Sequence, residues 1–152
     1  MVVTDEHDGP MTMTVESDVD RLADVRTFVR EAVASFGGSR RAAEDLVQAV
    51  DEATCNVMLH GYGHAPGSIE IEAALRDGRV RIRMLDRAPA FDPTAGPAKD
   101  TSAPPVPGRP GGMGVGIHLL RTMVDEVHHS TRPDGGNELT LVRSIDRPAE
   151  EE

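Results

Sequence analysis

The sequence predicts an α+β fold, a two-layer sandwich in which helices cover one face of a mixed, mainly antiparallel sheet. Three observations lead there. Apolar residues recur at helical spacing in the first third of the chain. They alternate at strand spacing over Arg79-Val80-Arg81-Ile82-Arg83-Met84-Leu85. Strand-like runs come in pairs around two hairpin signals, Arg76-Asp77-Gly78 and Pro133-Asp134-Gly135-Gly136.

Taken in order, the first element is a strand at about 11–16, Met11-Thr12-Met13-Thr14-Val15 and its neighbour. A helix follows at about 18–36. Ser39 is a plausible N-cap for a second helix at about 40–60, where Leu46, Val47, Val50, Ala53 and Val57 hold the apolar stripe until Gly61 and Gly63 stop it. Strands near 68–76 and 79–85 flank the first hairpin turn. After a long Pro- and Gly-rich segment come a helix near 115–125 and strands near 126–132 and 138–144. No repeat is visible. One domain over 11–145 is expected, with a polar tail at 1–10 and an acidic one at 146–152, both disordered.

Composition narrows the class. At 152 residues the chain suits a single core that needs no staples. With no tryptophan, one tyrosine and three phenylalanines, that core must rest on Leu, Val, Ile, Met and Ala. The net charge of −10 argues against nonspecific nucleic-acid binding and for a protein partner. Cys55 is the only cysteine, which excludes an intrachain disulfide and gives packing as its default role. No apolar run approaches the roughly 20 residues that span a bilayer, and the start lacks the pattern of a signal peptide, so a cytoplasmic protein without a membrane role is expected.

Three segments carry chemistry. Gly111-Gly112-Met113-Gly114-Val115-Gly116 runs straight into the helical Ile117-His118-Leu119-Leu120. Closely spaced glycines let backbone N–H groups close on an anion, and the helix start adds a positive dipole end, so the stretch reads as a phosphate cradle. The spacing is neither that of a Rossmann turn nor that of a Walker loop, and a flexible loop is the plainer reading. In the second segment Glu52 and Asn56 stack four apart on one helix face, with Gln48 one turn earlier. A carboxylate and an amide oxygen so placed can hold hydrated Mg²⁺ and orient a hydroxyl; a solvated helix face is the alternative. In the third, Asp86 ends the alternating strand. Its carboxylate can accept from an exocyclic amine or simply cap the next turn.

Together and in this order, the three segments resemble the anti-sigma-factor serine kinases of the GHKL (histidine-kinase-like) ATPase superfamily. Glu52 and Asn56 match the N box, Asp86 the first glycine box, and Gly112, Gly114 and Gly116 the second. The similarity runs from about Met11 to about Arg143. It takes in Ser17-Asp18-Val19-Asp20 as the entry to the first helix and Gly135-Gly136-Asn137-Glu138-Leu139-Thr140 as the final turn and strand. Alanine departs from the pattern at Ala88 and Ala90, where the family has glycine. A methyl there resists positive φ and stands where the backbone passes adenine, so altered ATP affinity is expected.

The resemblance implies a Bergerat-type ATPase sandwich with an ATP lid at 92–112. ATP would have Asp86 on the adenine amine, Mg²⁺ on Asn56, and phosphates on the loop of Gly112, Met113, Gly114, Val115 and Gly116, with Thr140 on the final strand also contributing. Glu52 would be the general base and Arg109 the cation on the γ-phosphate. The implied partners are an anti-anti-sigma protein of the STAS type, whose serine is phosphorylated, and a sigma factor; a homodimer is common among relatives. An anti-sigma binding module with weak or no kinase activity, and a switch kinase acting on a downstream phosphatase, remain alternatives. The histidines point elsewhere: His60 and His64 have metal-like spacing that glycines interrupt, and His128 and His129 alternate across a strand, so no histidine metal site is expected.

Overall fold

A computed structural model describes residues 9–89 and 120–146. Five strands form one sheet in the order β1-β2-β3-β5-β4, with β1 at Met11–Glu16, β2 at Ser68–Arg76, β3 at Arg79–Asp86, β4 at Glu126–Thr131 and β5 at Asn137–Ser144. Every hydrogen-bonded pair is antiparallel. β5 lies between β3 and β4, so those two run in the same direction without touching; the parallel component lies in strand direction and not in pairing.

The β2–β3 hairpin closes as its sequence predicts. Asp77 and Gly78 both have positive φ, 54° and 74°, the two-residue turn whose twist suits a right-handed hairpin. Alternation then sorts the strands by face. Met11, Met13 and Val15, Ile69, Ile71 and Ala73, Val80, Ile82 and Met84, and Leu139 and Leu141 all turn to one side and are buried.

Helix α1, Leu22–Ser35, and helix α2, Arg40–Asn56, cover that side. α1 presents Leu22, Val25, Phe28, Val29, Ala32 and Val33, a stripe at helical spacing. A short 3₁₀ turn over Val19–Arg21 leads into it, capped by Asp18, whose carboxylate accepts from the Asp20 N–H at 2.9 Å. Ser39 caps α2 as predicted, accepting from the Ala42 N–H at 3.0 Å. The two helices are laced on their outer edge by Arg26–Asp51 at 2.8 Å and Arg30–Glu44 at 2.9 Å. The core is aliphatic apart from two phenylalanine rings, Phe28 and Phe36, as the composition implied.

The expected second helix, 40–60, keeps its length and changes its winding. α-Helical bonding ends at Asn56, and Val57–Gly61 form a π turn that closes with the Tyr62 N–H donating to the Val57 carbonyl at 2.7 Å. Just upstream, the Thr54 hydroxyl donates to the Val50 carbonyl at 2.6 Å, a back-bond that bends helices.

The other face of the sheet has no helix over it among the described residues and is laced with charge. Arg83 lies between Glu72 at 3.0 Å and Glu138 at 2.9 Å, and Arg79 pairs with Glu126. Residues 120–123 are helical, and Leu120 is fully buried in the core. No helix among the described residues is long and apolar enough to cross a membrane.

Candidate functional site

Asp86 is the last residue of β3 and turns to the helix-covered side, where it is 4% exposed. Burying a carboxylate is costly unless donors surround it. Its Oδ1 accepts from the Ala88 N–H at 2.9 Å and from Asn137 Nδ2 at 3.0 Å. Oδ2 has no partner among the described residues. One of the two sequence readings of Asp86 is seen directly, since Oδ1 caps the turn.

The backbone around Asp86 is clamped as firmly as its side chain. Arg132 Nη1 donates to the Asp86 carbonyl at 3.0 Å, and the Tyr62 hydroxyl accepts from the Arg87 N–H at 2.8 Å. Arg87 pairs with Asp134 across the β4–β5 turn at 3.1 Å. Gly136 lies flat against this corner: a Cβ there would stand 2.0 Å from the Asp86 carbonyl oxygen, and its φ of +104° suits glycine. Tyr62 itself lies over Gly67, where a Cβ would come within 2.2 Å of the ring.

Asn56, at the end of α2, is 6% exposed, and its Nδ2 has no hydrogen-bond partner among the described residues. An orphaned buried donor costs about 1–3 kcal/mol. The polar stripe of α2 slopes inward toward it: Gln48 is exposed, Glu52 half-buried and Asn56 buried. Tyr62, six residues beyond Asn56, reaches the residue after Asp86, so the α2 terminus and the end of β3 lie at the same end of the sandwich.

Cys55 sits between these groups with a pKa raised by burial and by the nearby carboxylates of Glu52 and Asp51, which suits packing and not reactivity.

One expectation is corrected. Thr140 does not join Asp86: it pairs with Arg83 across the β3–β5 ladder, and its offset of three residues from Asn137 turns it to the opposite face of the sheet. Asn137, directly opposite Asp86, occupies the place instead. Ala88 is 0% exposed and does not have positive φ, so its methyl is enclosed by protein and is not strained. Ala90, Arg109, Gly112, Met113, Gly114, Val115, Gly116 and the whole of 92–112 lie outside the described residues, as do the expected tails at 1–8 and 147–152.

Asn137, Tyr62, Arg132 and Gly136 are the site residues that sequence reasoning missed. The available signal was register: once Asp86 ends an inward-facing set on β3, the first inward residue after the Gly135-Gly136 turn must face it.

A model of the histidine kinase-like ATPase domain matches residues 15–143 of the chain. The chain belongs to this family. Within it, the histidine kinase-like ATPase resembles an anti-sigma F factor from Caldanaerobacter subterraneus subsp. tengcongensis, 22% identical over 93% of this chain and 98% of that protein. It also resembles the serine-protein kinase RsbW from Halalkalibacterium halodurans, 29% identical over 89% of this chain and 83% of the relative. Among solved structures it matches the RsbU and RsbW domains of Rv1364c from Mycobacterium tuberculosis with a TM-score of 0.65 and 26% identity. That match covers 93% of this chain and 34% of the larger one, so the chain spans about a third of its structural relative. The α+β sandwich is thus the histidine-kinase-like ATPase fold, and ATP is the nucleotide its family name implies.

Proposed function

We propose that the protein is an ATP-dependent serine-protein kinase and anti-sigma factor, which phosphorylates an anti-anti-sigma partner of the STAS type and binds a sigma factor in a partner-switching circuit. The observation that carries the nucleotide site is the buried Asp86 carboxylate, whose Oδ1 accepts from two protein donors and whose Oδ2 has no partner among the described residues. The names of the relatives, anti-sigma F factor and serine-protein kinase, support the phosphotransfer and sigma-binding parts.

In this reading Asp86 Oδ2 accepts from the adenine amine, and the Asn56 side-chain oxygen would be the protein ligand for Mg²⁺, buried at the end of α2 one turn beyond Glu52. ATP supplies the γ-phosphoryl group and Mg²⁺ the charge neutralisation. Glu52, half-buried one turn before Asn56, takes the proton of the partner's serine hydroxyl as that oxygen bonds to the γ-phosphorus and the bond to the β,γ-bridging oxygen breaks, releasing ADP. Arg109 and the N–H groups of Gly112, Gly114 and Gly116, with Met113 and Val115 in the same run, complete the phosphate end of the proposal. A phosphoserine carries roughly −1.5 to −2 charges, and a chain of net charge −10 repels it, which favours release of the phosphorylated partner.

The test is binding first and transfer second. Calorimetric titration with Mg²⁺-ATP shows saturable binding, and labelled phosphate passes from ATP to the serine of a STAS-domain protein from the same genome. Absence of ATP and ADP binding at millimolar concentration would sink the reading.

A further inference from the structure

Asp86 is not oriented by its own turn alone. Asn137, 2% exposed, turns its Nδ2 toward three acceptors at once: Asp86 Oδ1 at 3.0 Å, the Pro89 carbonyl at 3.3 Å and the Ala88 carbonyl at 3.4 Å. Its Oδ1 faces His129 Nε2 at 3.0 Å. His129 lies on β4, two positions from the Thr131–Asn137 pair and on the same face, so three neighbouring strands contribute one member each to a single hydrogen-bonded line.

The direction of that line follows from its ends. A carboxylate and two carbonyls only accept, so the Asn137 edge facing them must be the NH₂ group. The opposite edge is then the oxygen, and His129 must donate to it through a protonated Nε2. A turned-over amide would set an oxygen against three oxygens. His129 thus supports, from the oxygen edge, the one amide orientation that pins Asp86 Oδ1.

We infer that His129 and Asn137 form a positioning pair for the nucleotide base, fixing the Asp86 carboxylate so that Oδ2 alone meets the ligand and a purine with an amine at position 6 is preferred to one with a carbonyl there. The inference rests on the proposed ATP site. A fixed lone acceptor rewards an amine and repels a carbonyl oxygen, whereas a carboxylate free to turn can bring its oxygens to other donors, such as the ring N–H of a 6-oxopurine, and discriminates less. His129 has no contact with ligand in this scheme; it acts through Asn137.

The experiment measures dissociation constants for ATP and ITP by calorimetry, with melting temperature recorded for each protein. Wild type favours ATP. His129→Leu lowers the ATP-over-ITP preference by about 3- to 10-fold, the size expected for loss of one orienting hydrogen bond. His129→Gln, whose amide can still donate, restores most of it. Asn137→Asp, which replaces the donor by a second carboxylate against Asp86, abolishes the preference. An unchanged preference in His129→Leu, or an equal loss of affinity for both nucleotides alongside a lowered melting temperature, overturns the positioning role while leaving the ATP site standing. Wild-type protein that binds neither nucleotide overturns both readings.

Discussion

The Tyr62 hydroxyl donates to the Ser68 carbonyl and accepts from the Arg87 N–H, each at 2.8 Å, and so joins the π turn at the end of α2 to the turn that follows Asp86. The lone tyrosine of the chain thus ties the end of α2 to the corner that holds Asp86. Tyr62→Phe keeps the ring over Gly67 and removes both bonds. It is expected to cost about 1–2 kcal/mol in denaturant unfolding and to weaken ATP binding several-fold by loosening Arg87. Wild-type affinity and stability together would show that the bridge is incidental.

Glu52→Gln preserves shape and removes the proposed base. Phosphoryl transfer to a serine-bearing partner is expected to fall about 10²–10⁴-fold while ATP affinity stays near that of wild type. Single-turnover transfer with calorimetry on the same preparation separates the two. An unchanged rate assigns Glu52 to structure.

Much of this arrangement was legible from residues alone. Period-2 and period-3.6 patterns placed β2 and β3 and the start of α2, because Ser39, Asp77 and Gly78 carry their turn chemistry locally. Asp86 was legible as the polar end of an alternating strand, and Asn56 as a polar residue stacked four from Glu52 on one helix face. Thr140 was misplaced for a physical reason: a strand reverses face at every residue, so an uncertain register at the Gly135-Gly136 turn exchanges Asn137, Leu139 and Leu141 for Glu138 and Thr140. The π turn was invisible because it differs from an α-helix only in which carbonyl Tyr62 reaches.

Ala88 shows the same limit. From sequence, alanine in a glycine place suggests a methyl against adenine, but Ala88 is enclosed and its N–H caps Asp86. Ala88→Gly is therefore expected to leave ATP affinity unimproved and to cost about 1 kcal/mol through lost burial and added unfolded-state entropy. Tighter ATP binding in the variant would restore the crowding explanation.

Gly136→Ala tests the corner from the other side. The new Cβ meets the Asp86 carbonyl oxygen at 2.0 Å, against backbone that cannot swing away, and φ of +104° is strained for alanine. Strain and overpacking together are expected to cost about 3 kcal/mol, with ATP affinity falling as Asp86 shifts. Gly78→Ala is the control: its φ is also positive, at +74°, but a Cβ there meets nothing within 4 Å, so it is expected to carry the strain alone and spare ATP binding.

The last prediction concerns acid stability at the far end of the sheet. Arg143 is nearly buried on β5; burial opposes its charge, but bonds to Asp146 and Asp45 outweigh this and its pKa is raised. The same guanidinium, with help from the Ser144 hydroxyl, holds the Asp146 carboxyl below its ordinary value of 3.8. A carboxylate depressed in the folded state contributes stability above its unfolded pKa and loses that contribution as pH falls through its folded pKa. Asp146→Asn removes the charge while keeping a residue that tolerates the φ of 48° found there. The variant is therefore expected to unfold at lower denaturant than wild type at pH 7, with the gap narrowing as pH drops through 3.8 and closing below it. Denaturant midpoints for both proteins from pH 2 to pH 7 measure this. A gap that stays constant across the series would mean that Asp146 acts through shape and not through its charge on Arg143.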